Sequence, residues 1–119
     1  MKESLIVDKS YNFALNIIKL YKYLAFEKKE YILSKQLLRC GTSVGANVEE
    51  GQSAISKKDF ASKNSIALKE SRESHYWLRL LRDSDYLPSN FLFLIKDAEE
   101  LKRILSSIVK TTQERLNRK

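Results

Sequence analysis

Hydrophobic residues recur at intervals of three and four along nearly the whole chain, and only three glycines and one proline interrupt them. This spacing follows the 3.6-residue turn of an α-helix, and the shortage of turn-forming residues leaves room for few connections. No segment alternates apolar and polar residues with the period of two that a half-buried strand needs. The pattern predicts an all-α protein, an antiparallel up-down-up-down four-helix bundle. At 119 residues, 43% of them hydrophobic, the chain can fill one core but not two, so residues 1–119 are read as a single domain.

The first helix is expected from about Ser4 to Phe26. It carries one apolar stripe of Val7, Ala14, Ile18, Tyr21 and Ala25, and a second of Ile6, Phe13, Ile17, Leu20 and Leu24. Two stripes fit either one broad core face or a helix that also meets another subunit. The second helix is expected from about Tyr31 to Ala54, with a seam of Leu37, Gly41, Val44, Val48, Gly51 and Ile55. Glycine inside a helix costs about 1 kcal/mol relative to alanine, so Gly41 and Gly45 call for a closely packed neighbour. The third helix, with its small central stripe of Asn64, Ala67, Ser71 and Ser74, is the expected mate. Ser56 is placed to cap that helix, which runs to about Asp83. A turn over Ser84 to Leu87 and a start at Pro88-Ser89 then introduce the fourth helix, whose core face reads Phe91, Leu94, Ile95, Ala98, Leu101, Leu105, Ile108 and Thr112.

Several kinds of chemistry lack their residues. A di-iron bundle needs a Glu-x-x-His motif on each of two helices, whereas this chain has the single His75, with Glu70 and Glu73 at the wrong spacing. The lone Cys40 has no activating neighbours in sequence and is expected to pack as a small hydrophobe. No phosphate-binding loop or dinucleotide fingerprint appears. The expectation is a protein that is not an enzyme, with no catalytic residue, metal site or cofactor. Charges break every apolar stretch below the roughly 20 residues of a membrane span. Glu3 and Asp8 intrude where a signal peptide would have its apolar region, so a cytoplasmic setting is expected.

The chain carries 22 Lys and Arg against 15 Asp and Glu, a formal charge of +7. Net charge alone serves solubility as readily as binding. Its arrangement is more specific: Lys69, Arg72, Tyr76 and Arg79 follow at spacings of three, four and three on the third helix, and Lys57 and Lys58 lie at that helix's start. Such a stripe can track phosphates while the ring stacks on a base. The competing reading is a solvated face in which Glu70 and Glu73 neutralise the stripe. Lys102, Arg103, Lys110 and Arg115 on the fourth helix offer a second basic surface. Buried acids on helices two and three would need a partner such as Arg39 or Arg72.

The segment Ser43-Val44-Gly45-Ala46-Asn47-Val48-Glu49-Glu50-Gly51, then Lys58-Asp59-Phe60, then Ser65 to Ser71, with Glu73, Trp77, Leu78 and Tyr86-Leu87, resembles the four-helix-bundle proteins encoded by intervening sequences in bacterial 23S ribosomal RNA genes. The pattern occupies about residues 35 to 87, and the outer helices match by length and hydrophobicity. The accessory variability proteins of diversity-generating retroelements are similar in fold. Those proteins form pentameric barrels that bind nucleic acid and a reverse transcriptase. The resemblance implies a homopentamer in a bacterial cytoplasm, with RNA or DNA as partner and a reverse transcriptase or other protein as a further one. An origin within an rRNA gene does not make the product part of a ribosome. Two functions follow as expectations: a nucleic-acid-binding oligomer of low sequence specificity, or a protein-interaction scaffold that does not touch nucleic acid.

Overall fold

The computed structural model describes residues 2–118, and among them no strand occurs. Four helices account for most of this stretch: α1 (Lys2–Lys22), α2 (Leu33–Gln52), α3 (Lys57–Asp83) and α4 (Phe93–Leu116). Each packs on its neighbours in the order α1–α2, α2–α3, α3–α4, and α4 closes on α1. The expected up-down-up-down bundle is thus the observed one. It is elongated, 54 × 23 × 21 Å. Among the described residues no helix is long and apolar enough to cross a membrane.

The helix ends differ from expectation in instructive ways. Residues Tyr23–Glu27 continue α1 as one wide π-helical turn, in which the Lys28 amide donates to the Tyr23 carbonyl at 3.2 Å. Beyond it Lys29 adopts a left-handed conformation, φ 56°, and Asp85 does the same after α3, φ 66°. A residue of this hand turns the chain out of the helix and lets a following amide reach back to the last turn, as Tyr86 does to Leu81 at 2.8 Å. The second helix begins at Leu33 rather than Tyr31 because Glu30 caps it from outside. Its Oε2 accepts from the Ile32 and Leu33 amides and its Oε1 from the Ser34 amide at 2.7 Å. Partial burial works against the Glu30 charge, but these amides and the Ser34 hydroxyl outweigh it and hold the carboxyl below its ordinary range. Ser56 caps α3 as expected, accepting from the Asp59 amide at 3.0 Å. Pro88 opens a 3-10 turn, Ser89–Phe91, and not α4 itself.

The core is built from the faces the periodicity marked. Of the two stripes on α1, Ile6, Phe13, Ile17, Leu20 and Leu24 are buried in the bundle itself. This stripe is therefore not a subunit contact. The other stripe borders α2: Ala25 is buried, Val7, Ala14 and Tyr21 are half-buried, and Ile18 is exposed. On α3 the stripe Asn64, Ala67, Ser71, Ser74, Leu78 and Leu81 is buried, as is the α4 face from Leu94 to Thr112. The buried hydroxyls stay satisfied by donating to carbonyls of their own helix: Ser71 to Leu68, Ser74 to Glu70 and Thr112 to Ile108.

The glycine seam needs correction in two respects. A Cβ on Gly41 would lie 2.9 Å from Ile17 side-chain carbons, and one on Gly45 would lie 3.2 Å from the Ser10 carbonyl oxygen, so both glycines admit α1 rather than α3. Only Gly51 meets α3, at Asn64 and Lys63. The small centre of α3 instead faces Cys40, whose Sγ lies 3.4 Å from the Ser74 hydroxyl oxygen. Ile55, placed in the seam by its spacing, lies beyond the end of α2 and is 95% exposed.

Candidate nucleic-acid interface

The 27-residue α3 is the longest helix, and its core stripe leaves the opposite side free. A helix advances 100° per residue, so Lys58, Lys69 and Tyr76, separated by eleven and seven residues, fall within about 20° of one line. Arg72 and Arg79 lie beside that line on the side toward α4. From Lys58 to Arg79 the track covers about 32 Å at 1.5 Å per residue. Lys57, Lys58, Lys69, Arg72 and Arg79 are all exposed, and Tyr76 is 49% exposed. The Arg79 guanidinium carbon lies 5.9 Å from the Tyr76 ring centre, and the edge of one of the Tyr76 and Trp77 rings meets the face of the other, with centroids 5.3 Å apart. Lys69, Arg72, Tyr76 and Arg79 thus lie together on the exposed side of α3, with Lys57 and Lys58 apart from them at its first turn.

The two acids expected to neutralise this stripe face elsewhere. Glu70 is buried and Glu73 half-buried on the side of α3 toward α2. Arg39 of α2 reaches both: its Nη1 donates to Glu70 Oε2 at 3.4 Å and its Nη2 to Glu73 Oε2. The Trp77 indole donates to the same Glu73 oxygen at 3.2 Å. Burial opposes the Arg39 charge, but Glu73 and Glu70 outweigh it and strengthen its hold on the proton. Glu50, at the far end of α2, is exposed and pairs with Lys63 at 3.0 Å, which removes Lys63 from the open charge. Among the described residues Lys69, Arg72 and Arg79 enter no ion pair.

The structure also joins surfaces that are separate in sequence. His75 stands half-buried between α3 and α4, its Nε2 3.8 Å from Glu99 Oε1. Burial lowers its pKa first, and the positive charges of Lys102 on α4 and of Arg79 on α3 lower it further against the pull of Glu99. Lys102 of the second basic run thus lies within electrostatic reach of His75 at the α3–α4 seam. Periodicity within one helix could not reveal this, since it says nothing of which helix lies alongside. Lys57 and Arg115 line one open cavity of about 520 Å³ with Ile55, Phe60 and Thr112 at the α2–α3 connection.

Cys40 is fully buried, and burial pushes its thiol up to about 11 despite the Ser74 hydrogen bond. Among the described residues no group of three or more His, Cys, Asp or Glu side chains is placed to hold a metal ion.

A second surface is apolar. Tyr11, Leu15 and Ile18 of α1 are exposed and line a cavity of about 290 Å³ together with Thr42, Gly45 and Ala46 of α2. Ile66, Tyr76 and Leu80 form another exposed apolar row on α3. Since α1 and α3 occupy opposite corners of the bundle, the two rows look in different directions.

Residues 2–107 match the model of a family described as 23S rRNA-intervening sequence protein. A similar solved structure is the crystal structure of a protein with unknown function from the S23 ribosomal protein family of Bacteroides thetaiotaomicron VPI-5482. It is 45% identical over 92% of this chain and 99% of that chain, with a TM-score of 0.88. No curated protein matches the sequence.

Proposed function

From the premise that the chain belongs to the 23S rRNA-intervening sequence protein family, we propose that it is a non-enzymatic homo-oligomer, a pentamer, that binds RNA or DNA with little sequence preference. The observation that supports this reading is the division of charge on α3. Arg39 takes up Glu70 and Glu73 on one side, while Lys69, Arg72 and Arg79 remain unpaired around the exposed Tyr76 ring on the other. Such cations attract phosphates and release counterions, and the ring supplies a face for any base, so affinity carries little sequence information. A bacterial cytoplasm is the setting that goes with this reading.

Two unlike apolar surfaces on opposite corners favour head-to-tail association, with Ile66, Leu80 and Trp77 of one copy against the α1–α2 groove of the next, which leaves the Tyr76 ring to the nucleic acid. Contacts of this kind give a ring when the rotation between copies closes, as the proposed pentamer requires, and a filament when it does not. A ring repeats the α3 stripe around its circumference, and copies of a modest site acting together exceed single-site affinity by orders of magnitude.

The test is fluorescence anisotropy with RNA and DNA oligonucleotides across a salt series. Wild type is expected to bind with a logarithmic salt slope of about −2 to −3 per engaged stripe of three or four cations. A variant carrying Lys69→Ala, Arg72→Ala and Arg79→Ala that still oligomerises is expected to lose this binding. Binding retained by that variant but lost in Lys102→Ala, Arg103→Ala would move the site to α4. Absence of wild-type binding at low salt would overturn the nucleic-acid reading in favour of a scaffold for a reverse transcriptase or other protein, which the exposed Tyr76 and Leu80 would also suit.

A further inference from the structure

The end of the bundle where α1 passes into α2, and α3 into α4, exposes side chains that a bundle of this size ordinarily hides. Phe26 is 65% exposed and Ile32 75%, with Tyr31, Leu92 and Phe93 also open to solvent. Apolar side chains gathered at one end and left in water are the kind of surface on which partners dock. The rings here are ordered across both connections. Tyr23 and Phe91 have centroids 6.4 Å apart, and Phe91 and Phe93 lie 6.5 Å apart with planes only 19° from parallel. The Lys28 ammonium sits 6.0 Å from the Tyr23 ring centre, so a cation already rests on one end of the row.

The charge around the rings is mainly basic and unspent. Lys22, Lys28, Lys29, Lys35 and Lys96 are exposed, and among the described residues none forms an ion pair. Of the acids at this end, Glu30 is committed to the α2 amides and Asp83 to Arg82, while Glu27 and Asp85 remain exposed. Flat apolar faces beside mobile cations suit a partner that joins planar groups to anions. The α3 track also leads here, since Arg79 lies one turn before the end of that helix at Asp83.

We propose that this ring-bearing end is a second binding surface, on which the unpaired bases of a single-stranded nucleic-acid segment stack on Phe93 and Phe26 while the surrounding lysines take the phosphates. The proposal rests on the nucleic-acid reading of α3 and adds a preference to it: single strands over duplexes.

The test compares wild type with a Phe26→Ala, Phe93→Ala double variant, using a single-stranded 20-mer RNA, its DNA equivalent and a blunt duplex of the same sequence. Both side chains are exposed, so the variant is expected to keep the wild-type melting temperature and oligomeric mass. Its single-strand affinity is expected to fall about ten- to a hundred-fold, with duplex affinity unchanged. Quenching of a 2-aminopurine base in the single strand is expected with wild type and not with the variant. Unchanged single-strand binding by the variant, or an equal loss for strand and duplex, would overturn the stacking surface while leaving the α3 reading intact. A variant of reduced oligomeric mass would also overturn it, by giving this end to a second copy of the chain. Wild type that binds neither ligand would instead remove the reading beneath it.

Discussion

The Gly45 α-carbon on α2 lies so close to Ser10 on α1 that a Cβ there would stand 3.2 Å from the Ser10 carbonyl oxygen. The neighbour is helical backbone, which cannot rotate aside as a side chain can. Gly45→Leu is therefore expected to force α1 and α2 apart and to lower the stability of the fold by about 1 to 3 kcal/mol or more through overpacking, despite improving local helix propensity. Urea denaturation would show a lower midpoint. A midpoint at or above that of wild type would mean that the α1–α2 approach is loose.

Arg39 holds the buried Glu70 and the half-buried Glu73 together across the α2–α3 seam. Arg39→Ala leaves Glu70 buried without its cation. Because the Arg39 side chain is 54% exposed and screened by water, the expected loss is about 1 kcal/mol and not the larger figure of a fully buried pair. Arg39→Lys is expected to recover only part of it, since a single ammonium cannot match the fork that reaches two carboxylates. A double-mutant cycle with Glu73→Gln measured by thermal melting would separate the two contacts.

Glu30 ties three amides at the start of α2, and its removal in Glu30→Ala is expected to cost about 1 kcal/mol at neutral pH. Its folded carboxyl is held below the ordinary value of 4.5. The stabilisation is thus fully present above the unfolded value and is lost as pH falls through the folded one. Melting temperatures of wild type and variant are expected to differ at pH 7 and to converge in acid. A constant gap down to pH 2 would show that the contribution is not carried by the charge.

The Cys40 thiol, pushed up to about 11 from an ordinary 9.0 by burial, is expected to resist thiol reagents in the folded protein at neutral pH. Labelling should follow unfolding, rising sharply when denaturant is added. The same shift gives a stability component that is intact below about pH 9 and is lost between the unfolded value and the folded value near 11, because only the unfolded thiol ionises in that window. Rapid labelling without denaturant would show that this part of the core opens freely.

Leu15 sits at the centre of the exposed α1 row that lines the α1–α2 groove. Leu15→Glu is expected to weaken the proposed head-to-tail contact and lower the sedimentation mass toward the 13.9 kDa of one chain, with helicity unchanged because the side chain is outside the bundle core. An undiminished oligomer would place the contact elsewhere.

Local information determined the helices and their buried faces. The spacing of Ile6, Phe13, Ile17 and Leu20, of Asn64, Ala67, Ser71 and Ser74, and of Leu94, Ala98, Leu101 and Leu105 defines a direction on each helix without reference to any other. Those directions are the ones buried. The Ser56 cap is equally local and stands as the sequence pattern places it, and Lys69, Arg72, Tyr76 and Arg79, spaced on one helix, are all exposed. Tertiary structure decided the neighbours. A helical wheel shows that Gly41 and Gly45 need a close partner but not that α1, carrying Ile17 and Ser10, is that partner. It does not decide whether Glu70 is buried, nor that Arg39 stands across the seam to pair with it and leaves the α3 stripe its charge. Nor does it show that Lys102, far along the chain, comes within electrostatic reach of His75, as Arg79 does. Periodicity arises within one helix, whereas partnership depends on how four helices, each with its own volume and tilt, settle around one core.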